Sequence, residues 1–147
     1  MIWKPNTTVA AIIEQDGRFL MVEENTTEGI RINQPAGHLD EGETILNATT
    51  REVLEETAYD FTPTGLLGIY HWQRPAKDIT YLRFAFIGKL GMHHAERELD
   101  RGIIRALWMT LEELEATQPI HRSPQVLKCV RDYLTGQHFS LAVLTHL

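Results

Sequence analysis

The segment from Gly37 to Tyr59, GHLDEGETILNATTREVLEETAY, constrains this chain more than any other feature. Gly37 is followed after five residues by Glu43, and after seven more by Arg51-Glu52-Val53-Leu54-Glu55-Glu56. Six glycine or charged positions at fixed spacing arise by chance on the order of once in 10⁸ starting positions at average residue usage. From Thr44 to Thr57 the spacing predicts a helix, with Thr44 as its cap and neither Pro nor Gly inside. At about 100° per residue, Leu46, Thr49, Thr50, Val53 and Leu54 form a stripe facing a core. Glu52, Glu55 and Glu56 lie beside that stripe, within an arc of about 100°.

Like charges at helical spacing repel, so a helix alone gains nothing from holding three carboxylates together. Glutamates on a helix usually form a solvated face, but here Gly37 and Glu43 stand at set distances before them. A hard divalent cation removes the repulsion. Mg²⁺ takes oxygen ligands and is commonly shared between carboxylates and substrate phosphates, and Mn²⁺ suits the same donors. Glycine at position 37 lets the backbone come close and offers its carbonyl as a further oxygen. Arg51 can pair with Glu55 one turn on or orient its neighbour Glu52, and Glu43 is placed to brace the loop.

The segment resembles the signature box of the Nudix hydrolases, enzymes that cleave diphosphate linkages with divalent metal. The resemblance implies an α/β fold, a mixed sheet in an α/β/α sandwich, with residues 1–147 as one domain. It implies Glu52, Glu55 and Glu56 as metal ligands, with Gly37 completing the shell. Glu52 is then the general base, held by Arg51, with Glu55 able to share that role. The phrases NQPAGHLDEGET, YHW near residue 70 and YLRFAF are similar to NudJ-type phosphatases within the family. Their substrates are nucleoside tri- and diphosphates and the pyrophosphate of the thiamine pyrimidine precursor, with release of phosphate. Other Nudix chemistries, such as damaged-nucleotide sanitising or ADP-ribose cleavage, would keep the metal helix and change only the pocket. A non-catalytic nucleotide-binding domain of this type would be expected to have lost the glutamates.

The chain departs from the family pattern in two places. The box normally closes on glycine and an aliphatic residue, whereas this chain has Ala58-Tyr59. Ala58 must either adopt a left-handed conformation or let the helix run on. The family also often supplies a late-loop carboxylate. Glu96, Glu98 and Asp100 are the candidates, with Glu98 carried as the metal-ligand choice.

The 14 basic and 20 acidic residues give a net charge of −6. That balance argues against a nucleic-acid polymer as partner, and it leaves metal to attract a nucleotide or small pyrophosphate. A single cysteine, Cys129, excludes an internal disulfide and suits a reducing cytoplasm. No run approaches the roughly 18 apolar residues of a membrane helix. A monomer or small homo-oligomer is expected.

The remaining pattern predicts strands at 7–14, 18–24, 31–34, 66–72, 81–90 and 103–109, with turns at 15–17 and 62–65. Thr110 and Ser123-Pro124 open two later helices, the second closed by Gly136. Trp72 and Tyr81 can stack on a flat ring, Arg83 can pair with a phosphate, and Gln34 is a further substrate candidate. Alternation places Arg83 on the face opposite Leu82, Phe84 and Phe86.

Overall fold

The computed structural model describes residues 2–147. Two four-stranded sheets form its centre. In the first, β5 (Ala36–His38), β1 (Asn6–Ala11), β7 (Thr80–His93) and β6 (Tyr59–Gln73) lie side by side. β1 and β7 run parallel there, and the other pairs antiparallel. In the second, β3 (Arg18–Thr26) pairs with β2 (Glu14–Gln15), β4 (Gly29–Asn33) and β8 (Ile103–Thr110), all antiparallel. The expected strand at 7–14 is thus divided between sheets, and the chain crosses at the buried Ile12 and Ile13. A second crossing at Gln34-Pro35 carries β4 into β5, and the Ala11 amide donates to the Pro35 carbonyl at 3.0 Å.

Local chemistry accounts for most element ends. Asp16 and Gly17 both take positive φ, 52° and 78°, as a two-residue hairpin turn requires. Thr44 caps α1 (Ile45–Thr57) by accepting the Asn47 amide. Thr110 and Glu113 form a capping box at α2 (Leu111–Ala116). α3 (Gln125–Leu134) follows Ser123-Pro124 and gives way to Gly136 at φ 84°. Val53 packs with Ala11, Leu20 and Phe61 in one core cluster. Val126, Cys129 and Val130 of α3 pack with Phe19, Met21, Leu67 and Ala85 in another. α1 and α3 therefore belong to different cores around the sheets, in the expected mixed α/β sandwich.

Two expectations are corrected. The segment 62–65 is not a turn, because β6 runs through it with register shifts that place Pro63 opposite Gly88. Proline lacks an N–H, and a bulged edge strand can accommodate it. The buried face of α1 is also rotated from the expected stripe. It comprises Ala48, Thr49, Glu52, Val53, Glu56 and Thr57, so two glutamates point inward while Leu46, Thr50 and Leu54 are only half-buried.

Ala58 resolves its alternatives by adopting φ 62° and ψ 19°, and its amide donates to the Leu54 carbonyl. The strain of a left-handed alanine, about 1 kcal/mol, opposes the burial of its methyl and the entropy that glycine would lose on folding. Ala58→Gly should therefore change stability by no more than about 1 kcal/mol and leave turnover within about threefold. Ala58→Val puts a β-branched residue at positive φ and should cost more than about 2 kcal/mol in denaturant titrations. A valine variant as stable as the parent would contradict the left-handed cap.

Candidate active site

The close packing of a carboxylate on a glycine sets the site. A Cβ placed on Gly37 would collide with the carboxyl group of Glu52, so only glycine lets α1 bring that side chain onto β5. Arg51 fastens the same helix to the loop before it. Its Nε donates to Glu43 Oε2 at 2.6 Å and one Nη to Glu43 Oε1 at 2.8 Å, a bidentate pair. Other guanidinium donors reach Glu52 Oε1 at 2.8 Å, Glu55 Oε2 at 3.2 Å and the His38 carbonyl at 3.1 Å. Glu43 also accepts the Asp40 amide, which gives it the bracing position expected of it. Its pKa is held low, chiefly by hydrogen bonds from Arg51.

Glu56 lies deeper and accepts the Ala36 amide at 2.9 Å. Burial pushes its pKa up to about 9, with the Glu52, Glu24 and Asp100 charges adding to the shift. Glu52 rises to about 7 by burial, against the opposing pull of Arg51. Glu55 is raised as well, first by desolvation and then by Asp100. Such displacement marks a group whose charge is not fully answered by protein.

Glu52, Glu56 and the Gly37 backbone line a cavity of about 730 Å³. Four arginines (31, 74, 83 and 122) and six carboxylates (24, 28, 40, 52, 56 and 100) share its wall, leaving it acidic. Trp72 and Tyr81, partners across β6 and β7, close another part of the wall with rings stacked 5.9 Å apart at 14°. Arg83 also reaches the cavity, although it is only 4 % exposed. Its nitrogens donate to Gln34 Oε1 at 2.8 Å and Asn33 Oδ1 at 3.0 Å, and one lies 3.8 Å from Cys129 Sγ.

Two of the expected residues fall elsewhere. Gln34 is fully buried behind Arg83, with its amide nitrogen bound to the Val126 carbonyl, so it supports the wall without lining it. Glu98 is exposed and outside the cavity, and Asp100 occupies the place considered for it. The Asp100 amide donates to the Glu55 carbonyl at 2.9 Å, which pins the late loop to α1. No sequence spacing links positions 55 and 100, because the link is a tertiary backbone hydrogen bond. Glu55 itself sits beside the cavity, against Arg51. Sequence reading also missed Asn33 and Gln125, polar side chains that face the cavity.

The donor set is all oxygen, as a hard divalent cation requires. Among the described residues no three acidic, histidine or cysteine side chains already converge on one point. Glu52 is turned to Arg51 and Glu56 to Ala36 instead. The buried, mutually repelling carboxylates nonetheless fit such an ion, whose charge would relieve their desolvation.

The Nudix domain model matches residues 3–128. The chain belongs to the Nudix hydrolase family. It is similar to phosphatase NudJ of Escherichia coli K12, at 34% identity over 97% of this chain and 92% of that protein. A solved Nudix hydrolase from Nitrosomonas europaea is 48% identical, with a TM-score of 0.95 over 98% of each chain. A MutT Nudix hydrolase from Burkholderia pseudomallei shares the fold at 19% identity and TM-score 0.74, over 88% of this chain and 98% of that one. Among the described residues of this Nudix hydrolase, no helix is long and apolar enough to cross a membrane.

The raised carboxylates give the metal-free Nudix hydrolase a signature in stability. A carboxyl that keeps its proton when folded and loses it when unfolded stabilises the fold below the ordinary carboxylate range. That contribution is lost as pH rises toward the folded pKa. Metal-free protein should therefore lose stability between about pH 5 and 9, by at most about 1.4 kcal/mol per pH unit for each such proton. In urea titrations across that range, Glu56→Gln should show a shallower fall. An unchanged slope would show that Glu56 is not the buried acid described.

Proposed function

We propose that the 147 residues act as one domain that hydrolyses nucleoside tri- and diphosphates and related pyrophosphates, releasing phosphate. The similarity to phosphatase NudJ supports the release of phosphate, and the sequence resemblance carries the reading on to the pyrophosphate of the thiamine pyrimidine precursor. The observation that carries it is a single cavity with buried carboxylates on one part of its wall and a stacked aromatic pair on another. A charged phosphate chain suits the first and a planar ring the second.

In this reading Glu52, Glu55, Glu56 and the Gly37 carbonyl would hold Mg²⁺ or Mn²⁺, with Asp100, not Glu98, as the late-loop carboxylate. Bound there, the ions would lower the pKa of water and neutralise the phosphate oxygens. Glu52 takes the proton of the attacking water, as the family resemblance implies, with Arg51 bonded to its carboxylate. Arg51 fixes its orientation from the side away from substrate. Arg122 and Arg74 supply positive charge at the mouth, while Trp72 and Tyr81 pack against the ring. The acidic wall repels a polyanion, so nucleotide binding depends strongly on the cation.

A panel of nucleotides and pyrophosphates with Mg²⁺, resolved by phosphorus NMR in heavy-oxygen water, tests this reading. Orthophosphate from nucleoside tri- and diphosphates is the expected product. Pyrophosphate from triphosphates would point instead to a nucleotide sanitiser, and two monophosphates from ADP-ribose to an ADP-ribose pyrophosphatase. Chelation of metal should abolish turnover. Glu56→Gln should lower kcat by at least about a hundredfold while the fold persists. Near-normal turnover by that folded variant would refute the assigned role.

A further inference from the structure

Two polar atoms in the cavity wall are buried without a hydrogen-bond partner among the described residues: Arg83 Nε and Gln125 Oε1. Both side chains line the cavity, and both are more than nine-tenths buried, at 4 % and 7 % exposure. A buried polar group left unpaired is costly and uncommon, and two of them line this one cavity. They are near neighbours. Arg83 touches Cys129, which lies one helical turn after Gln125 on α3, and positions four apart share a helix face.

Both groups are also held in place. Gln34 donates to the Val126 carbonyl, so its oxygen is the end that faces Arg83. Asn33 accepts from a second guanidinium nitrogen. The guanidinium is thereby oriented by neutral amides, with its Nε–H left over. Gln125 donates from its amide nitrogen to Ser123 Oγ, leaving its oxygen over. The residual pair is one donor and one acceptor. Along β7, Tyr81 is two residues before Arg83 and on the same face of the strand, and it is stacked on Trp72.

We propose that Arg83 and Gln125 read one edge of a planar heterocycle whose face packs against Trp72 and Tyr81. The ring must carry an acceptor beside a donor: a lactam C=O and N–H, or a ring nitrogen next to an amino group. This rests on the substrate class proposed above and narrows it to pyrophosphates of hydrogen-bonding heterocycles, against inorganic, sugar or alkyl pyrophosphates. Gln125 is then a specificity-determining residue, and it takes no part in the chemistry.

The test is equilibrium binding to the full chain, by calorimetry with Mg²⁺, so that it does not depend on turnover. AMP is compared with purine riboside 5′-monophosphate, which lacks only the exocyclic amino donor, and with ribose 5-phosphate. The parent should bind AMP about tenfold or more tightly than the purine riboside compound, and ribose 5-phosphate more weakly still. Gln125→Met keeps the length of the side chain and removes the acceptor. It should bring AMP down to the affinity of purine riboside monophosphate and leave the latter within about twofold. Urea titration confirms that the variant is folded, and Gln125→Leu serves if it is not. Equal affinity of the parent for AMP and purine riboside monophosphate would overturn the proposal. So would an AMP preference that survives in the variant, or ribose 5-phosphate binding as tightly as AMP. Failure of the nucleotide panel to release phosphate would refute the hydrolytic reading alone, because these affinities do not involve cleavage.

Discussion

Arg51 joins helix α1 to the loop before it, and the Glu52 carboxylate that it holds lies on Gly37. That contact orders much of the site. The glycine removes the side chain that would keep α1 away from β5, and the guanidinium offsets part of the cost of bringing a carboxylate inward. Because Arg51 meets Glu43, Glu52, Glu55 and the His38 carbonyl together, the loop geometry and the helix geometry are one arrangement. Glu56, one turn beyond Glu52, is carried further inside and receives only a backbone amide. Its raised pKa follows from that difference. A charged pair of partners shares its burden, whereas a carboxyl with one neutral donor keeps its proton.

The local part of this arrangement was legible in the sequence. The helix, its Thr44 cap, the Asp16-Gly17 turn and the reach of Arg51 depend on residues within a turn or two of one another. Strand alternation likewise placed Arg83 opposite Phe84 and Phe86, on the face that the structure gives it. What was not legible depends on tertiary neighbours. Periodicity ranks residues by hydropathy and therefore runs the apolar stripe of α1 through Leu46 and Leu54. The fold buries Glu52 and Glu56 instead, since the strand opposite presents a glycine. Glu98 and Asp100 have equal claims in sequence. Tertiary structure separates them: Asp100 lines the cavity and its amide bonds the Glu55 carbonyl, and Glu98 lies outside. Gln34 has the composition of a ligand residue, yet it is consumed by Val126 and Arg83, and Gln125 faces the cavity with no motif to announce it.

The cavity is divided in character. The carboxylates come from α1 and the loop before β8, while the aromatic pair comes from the paired strands β6 and β7. Arg83 and Gln125 add oriented hydrogen-bonding groups that the acidic residues do not use. In the reading proposed above, charge neutralisation at α1 is kept apart from ring recognition at the wall formed by β6, β7 and α3. The similarity to phosphatase NudJ and to the N. europaea Nudix hydrolase extends over nearly the whole chain. The wall from β6, β7 and α3 is where this chain's own selectivity is to be sought.

If the buried carboxyls store protons that a divalent ion displaces, metal binding must release them. Calorimetric Mn²⁺ titration at pH 7, repeated in buffers of different ionisation enthalpy, counts those protons. At least about one proton should leave per saturated protein, from Glu56 with a fraction from Glu52, and about one fewer from Glu56→Gln. Saturable Mn²⁺ binding with no proton release, or with the same release from the variant, would contradict a site built on protonated glutamates awaiting a cation.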